Sequence, residues 1–191
     1  MTNKLVKSQT NDIQLSYNFN DMEYKINIYE ASKDNTLRFV LGFENTNPLI
    51  VIGVNPSTAD DQKPDATIRR VLGYVKRNNF NGFLMINIYP FRSTNPNNLP
   101  AKLDNTIHQQ NLIHIQKVFS KYKKATILAA FGNPIMQKKY LNDCFSDIVK
   151  MSVQYDLEWK QIGTLTQSGN PRHPSRGSYL PLEKFDTNKY L

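Results

Sequence analysis

The stretch "LIVIGVNPSTADDQKPDATIRR", residues 49–70, decides how the chain folds. It opens with an apolar run typical of a buried strand, and this run breaks at Gly53 into turn-forming residues. From Ala66 to Asn78, apolar side chains recur at the spacing of a helix, and Asp65 is placed to cap its first turn. The stretch therefore predicts a buried strand, a polar loop and an amphipathic helix in succession.

The same alternation continues along the chain. Strand-like runs are "LIVIGV", "FLMINIY", "ATILAAF" and "EWKQIGTL", and further helices are predicted from about Asn105 to Tyr122 and from Pro134 to about Asp147. Strands that alternate with helices favour a parallel sheet covered on both faces. The predicted fold class is α/β: a three-layer α/β/α sandwich with a central, mostly parallel four-stranded sheet. The earlier runs "YKINIYEA" and "LRFVLGF" predict a short N-terminal β extension, with a hairpin turn through Ser32 to Asn35.

Length and composition favour one basic domain. The 191 residues, 39% of them hydrophobic, suit a single domain over 1–191, in which about 1–22 form a polar extension expected to be flexible. A formal net charge of +8 favours an anionic partner such as nucleic acid. The single cysteine, Cys144, allows no internal disulfide, and no segment approaches the length of a membrane span. We expect a cytoplasmic protein without a membrane partner, and three scattered histidines predict no metal site.

Polar residues follow each predicted strand of the parallel sheet. Because ligands of such sheets bind beyond the carboxyl ends of the strands, we expect four loops to converge on one cleft. Asn87 ends an apolar strand, where its amide could pair with the edge of a pyrimidine or with a neighbouring loop backbone. Asn55 precedes a proline, so it is either a turn residue or a group that orients a water molecule for glycosidic cleavage.

The loop "TQSGNPRHPSRGSY" contains His173, the one histidine in a motif-like setting. A neutral His173 could donate a hydrogen bond to a carbonyl oxygen on a departing base, although a histidine in a loop is more often merely polar. Ser175 and Arg176 could hold a phosphodiester. Further candidates for phosphate or DNA binding are Ser57, Arg92 and Arg172; Arg69 and Arg70 are interpreted as a solvated helix face.

Four motifs in order, "NPSTAD", "DATIRR", "NIYPFRST" and "GNPRHP", closely resemble the bacterial and phage family DUF1643 over about residues 37–185. The same landmarks are more distantly similar to the uracil-DNA glycosylase superfamily. That resemblance implies that Asn55 orients the attacking water, that Asn87 reads the flipped base, and that His173 and Ser175 contact base and phosphate. It also implies an aromatic side chain stacked on the base, for which Tyr89, Phe91 and Phe131 are candidates.

The leading hypothesis is a DNA glycosylase that flips uracil or a modified base out of single- or double-stranded DNA and hydrolyses its N-glycosidic bond. It assigns catalysis to Asn55 and His173 and needs no metal or organic cofactor. Two alternatives remain open. One is an inactive module with the same fold that binds DNA or a protein, and the other is an enzyme or binder of free nucleosides or nucleotides.

Overall fold

The computed structural model describes residues 24–191. The predicted N-terminal extension, 1–22, lies outside the described residues. Within them, the chain forms three α-helices and a mixed sheet of seven strands.

The strands are β1 (Ile28–Ala31), β2 (Arg38–Phe43), β3 (Pro48–Gly53), β4 (Gly82–Asn87), β5 (Thr126–Ala129), β6 (Glu158–Ile162) and β7 (Leu182–Lys184). Their order across the sheet is β1-β2-β4-β3-β5-β6-β7. The middle four, β4, β3, β5 and β6, run parallel and correspond to the four predicted strands. The outer strands pair antiparallel with this parallel core.

The prediction of a four-stranded sheet was therefore wrong in the number of strands. The predicted N-terminal hairpin is not a separate extension, because β2 pairs with β4 and continues the same sheet. Strand β7 closes the opposite edge against β6. Its three residues, LEK, carry no apolar alternation from which a strand could be predicted. Both additions cover backbone groups that an edge strand would leave unpaired.

The helices are α1 (Ala66–Arg77), α2 (Asn105–Lys121) and α3 (Tyr140–Ser152). Asp65 caps α1 by accepting from the Ile68 backbone N–H at 2.9 Å, as predicted. The third helix was predicted to begin at Pro134, which instead lies in a short 3-10 helix. Extended backbone at Lys138 separates that turn from α3. The other 3-10 turns are Pro96–Asn98, Val153–Tyr155 and Asn188–Tyr190.

Apolar side chains on the two sheet faces bury against different helices. On one face, Val51 and Leu128 pack with Val71 and Tyr74 of α1. On the other, side chains from β3, β4 and β5 pack with residues of α2 and α3, including Phe119. The result is three layers, with one helix on one side of the sheet and two on the other. No helix among residues 24–191 is long and apolar enough to cross a membrane.

Candidate functional site

A cleft of about 480 Å³ opens at the carboxyl ends of the parallel strands. Residues that follow β3, β4, β5 and β6 all line it, so the four predicted loops do meet at one site. Seven of the predicted site residues line this cleft: Asn55, Ser57, Phe131, Arg172, His173, Ser175 and Arg176. Four do not: Asn87, Tyr89, Phe91 and Arg92.

The Asn55 amide is held in one orientation by loop backbone. Its Nδ2 donates to the carbonyl oxygens of Ser93 at 2.8 Å and Pro56 at 3.0 Å, and approaches that of Phe91 at 3.4 Å. These bonds join the loop after β3 to the loop after β4. With the nitrogen fixed in this way, Oδ1 is the atom of the amide that remains to accept a hydrogen bond from a ligand or a water molecule.

His173 is prepared as a neutral hydrogen-bond donor. Its Nδ1 lies 3.3 Å from the backbone nitrogen of Ser175 and 2.8 Å from the Ser175 hydroxyl. Because the backbone N–H can only donate, Nδ1 accepts and the proton of the neutral ring is on Nε2. Burial, reinforced by the charge of Arg176 and opposed by Asp65, lowers the pKa of His173 below its ordinary value. The ring is therefore neutral at physiological pH, with an N–H to offer.

Gly132 allows His173 to come close to the end of β5. The residue has φ of 62°, a left-handed conformation that favours glycine. A β-carbon placed there would lie 3.1 Å from the β-carbon of His173 and 3.3 Å from Pro134 Cδ. A side chain at residue 132 would therefore strain the backbone and crowd the β-carbon of His173.

Asn87 lies behind Gly53, which lines the cleft. The side chain is fully buried, and neither its Oδ1 nor its Nδ2 has a hydrogen-bond partner. A β-carbon on Gly53 would come within 3.0 Å of Asn87 Oδ1 and 2.7 Å of Met85 Cε. The glycine thus leaves open the space between the Asn87 amide and the cleft. A buried, unpaired amide at this position is costly unless something else satisfies it.

The three aromatic candidates lie on the same face of the sheet, but only one of them lines the cleft. Phe131 is buried and lines the cleft, with its ring edge-on to Phe145 at 4.6 Å. Tyr89 packs edge-on against Tyr140 at 5.4 Å on the face covered by α2 and α3. Phe91 packs against that same cluster. Of the three, Phe131 alone lines the cleft.

A family model matches residues 30–175, which is most of the chain, and its description is protein of unknown function (DUF1643). The chain belongs to the DUF1643 family. The match includes β2 to β6, all three helices and every residue of the cleft lining except Arg176. No curated protein and no solved structure matches the chain.

In this DUF1643 protein, Arg92 lies outside the cleft and its guanidinium binds protein atoms. It donates to the Ser57 carbonyl at 3.2 Å, to the Tyr29 hydroxyl at 2.6 Å and to Asn35 Oδ1 at 2.8 Å. Arg172 lines the cleft and donates to the Thr164 carbonyl at 2.8 Å. The cleft lining contains three arginines and one aspartate, so its electrostatic potential favours an anion.

The interpretation of Arg70 as a solvated residue was wrong, whereas Arg69 is exposed. Arg70 donates to the carbonyl oxygens of Pro174 at 3.1 Å and Gly177 at 2.8 Å, and it stacks 3.6 Å above the Tyr179 ring. It thereby ties the His173 loop to α1. The helical spacing could not indicate this contact, because its partners follow more than a hundred residues later.

Arg38 is a cleft residue that the sequence analysis missed. It lies on β2, is 2% exposed and lines the cleft. The available signal was a charged residue inside the apolar run "LRFVLGF", because arginine is seldom buried without a specific partner.

The thiol of Cys144 lies outside the cleft lining. Cys144 is buried in α3, and burial raises the pKa of its thiol to about 12. Among residues 24–191, no group of three or more His, Cys, Asp or Glu side chains is placed to hold a metal ion.

Proposed function

We propose that the cleft receives a nucleobase flipped out of DNA and that the protein hydrolyses the N-glycosidic bond of that base. The observation that carries the proposal is the pairing of Asn55 and His173 in one cleft: an amide whose oxygen is left to accept, and a neutral imidazole with a proton on Nε2. Glycosidic cleavage needs these two functions, one for the water and one for the departing base.

In the proposed reaction, Asn55 Oδ1 accepts a hydrogen bond from a water molecule and holds it near the sugar carbon. As the N-glycosidic bond breaks, its electron pair leaves with the base, and the sugar develops positive charge. The water oxygen then bonds to that carbon, and the proton that the water loses ends on the departing base. His173 stabilises negative charge on a base carbonyl oxygen through its Nε2–H, without transferring the proton.

The amide of Asn87 supports recognition of a base. A carboxamide both donates and accepts, which complements the edge of uracil and related pyrimidines. Its two unpaired atoms behind Gly53 are explained if a ligand completes them. Phe131 supplies an aromatic ring in the same cleft.

The architecture supports a second part of the proposal, that the domain has a uracil-DNA glycosylase-like fold. Its parallel core of four strands is covered by helices on both faces, and the cleft opens at the carboxyl edge of that core. In this proposal, the hairpin β1–β2 and strand β7 are additions at the two edges of the sheet.

The test is to incubate the protein with oligonucleotides that contain uracil or other modified bases, and then to measure alkali-labile sites. We expect the wild type to create such sites and Asn55→Ala to create none above background. Asn97→Ala is a matched control, because Asn97 is exposed and outside the cleft. No release from any modified base by a folded, DNA-binding wild type would contradict catalysis.

A second function, DNA binding without turnover, is favoured by one observation. Asn55 Nδ2 joins two loops through backbone carbonyls, which is a structural role that needs no reaction. In that case, Asn55→Ala should lower the melting temperature, and the wild type should bind DNA with salt-sensitive affinity yet release no base.

A further inference from the structure

Arg38 is a buried cation whose hydrogen-bonding capacity is largely unused. A guanidinium has five N–H donors, and here one terminal nitrogen donates to the Ala59 carbonyl at 2.9 Å. Its Nε is buried without a partner, although the residue lines the cleft. Within residues 24–191, no carboxylate lies within ion-pair distance of this side chain. A desolvated charge of this kind is costly unless an anion accompanies it.

A second positive charge, that of Arg92, acts on Arg38. Burial, together with the charge of Arg92, lowers the pKa of Arg38 to about 10, while Asp65 opposes the shift. The group is still protonated at neutral pH. Asp65 also lines the cleft, but its Oδ1 accepts from the Ile68 backbone N–H in the cap of α1.

The two arginines hold the loop that follows β3. Arg92 donates to the carbonyl oxygens of Ser57 at 3.2 Å and Ala59 at 3.3 Å, and Arg38 donates to Ala59 as well. Ser57 lines the cleft in this segment, as does Thr67 at the start of α1. Both hydroxyls could donate to a bound anion, in addition to the guanidinium.

From these contacts we infer that Arg38 anchors a phosphate subsite of the cleft, and that the ligand enters as a nucleotide with its phosphate on this arginine. The fork of a guanidinium matches phosphate oxygens in geometry and charge. This inference deepens the proposed function and rests on it for the nucleobase part of the ligand. The phosphate belongs either to the DNA backbone beside the flipped base or to a free nucleotide, which present the same chemistry.

The experiment measures thermal unfolding in the presence of inorganic phosphate, deoxyuridine, its 5′- and 3′-monophosphates, and a uracil-containing single-stranded oligonucleotide, each against sodium chloride of equal ionic strength. We expect phosphate and both phosphorylated classes to raise the Tm of the wild type more than deoxyuridine does. A ligand at about 100-fold its Kd should raise the Tm by roughly 5 to 10 °C for a domain of this size.

Arg38→Met should remove the part of the shift that depends on phosphate, because it keeps the length of the side chain and deletes the donors. Replacement of a buried ion by an apolar group of similar shape is often tolerated. Arg38→Lys is the second variant: it keeps a charge but loses the fork, and we expect phosphate affinity to fall about tenfold. Arg69→Met is the matched control on the exposed face of α1 and should respond as the wild type does.

No phosphate-dependent shift in the wild type, or an equal shift in an Arg38 variant, would overturn the subsite. Preference for the oligonucleotide assigns the phosphate to DNA, and preference for a monophosphate assigns it to a free nucleotide. The two proposals fail separately. Base release with no Arg38-dependent phosphate effect overturns the subsite alone, whereas an Arg38-dependent effect without base release from any oligonucleotide overturns the glycosylase function alone.

Discussion

Asn87 shows what a single side chain can reveal about a site. The residue is buried at the end of β4, where each of its polar groups needs a hydrogen-bond partner. Its backbone oxygen has one, because it accepts from Asn111 Nδ2 at 2.9 Å. The side-chain amide has no partner at either Oδ1 or Nδ2. A buried amide without partners reduces stability, by about 1 to 3 kcal/mol. Such a residue is explained more readily by ligand recognition than by folding.

The change Asn87→Leu separates these two roles. Leucine has a similar shape and leaves no unpaired polar atom, so the free energy of unfolding should stay the same or rise by up to about 2 kcal/mol. Binding of uracil-containing ligands should be lost. Denaturant unfolding and ligand-induced Tm shifts measure the two effects, and a large loss of stability on substitution would show that the amide serves the fold.

The loop that carries His173 depends on contacts with helix α1 for its position. Gly73 of α1 has no side chain where the Tyr179 hydroxyl lies, since a β-carbon there would come within 2.0 Å of it. Arg70 and Arg77 each place a guanidinium 3.6 Å from the centre of the Tyr179 ring. Helix α1, which follows the loop after β3, therefore positions the loop after β6 that carries His173.

Arg70→Met should loosen this loop without removing any group that lines the cleft. Two hydrogen bonds to carbonyls and one cation–π contact are lost, which together stabilise the loop by roughly 1 to 3 kcal/mol. We expect faster hydrogen exchange across residues 174–180 and weaker ligand binding. Arg69→Met, one position away on the exposed face, should change neither; equal exchange in both variants would contradict the tie between α1 and the loop.

The protein as a whole is basic, and so is the lining of its cleft. The formal net charge of the chain is +8, and three of its arginines but only one aspartate line the cleft. Such a distribution attracts polyanions and makes their binding dependent on salt.

Affinity for DNA should therefore fall as salt rises, and Arg176→Ala should reduce the slope of log K against log salt by about 1. Lys123→Ala is the control, because Lys123 is exposed just before β5, at the end of the sheet opposite the cleft. Titrations by fluorescence anisotropy at several salt concentrations measure both slopes. Equal slopes for the two variants would place DNA elsewhere on the surface.

Local patterns in the sequence determined the parallel core, α1 and α2, because apolar periodicity and helix capping act within a few residues. Asp65 caps α1, and Asp104 caps α2 by accepting from the Thr106 backbone N–H at 2.9 Å. The local patterns also identified the loops that line the cleft. Only the tertiary structure decided that β2 joins the sheet, that Arg38 reaches the cleft, and that Arg70 holds a loop far along the chain. It likewise placed Phe131, but not Tyr89, in the cleft lining, although both side chains belong to the same core cluster. The reason is physical: periodicity reports which residues are buried, but the partner of a buried or charged side chain is set by packing between distant segments.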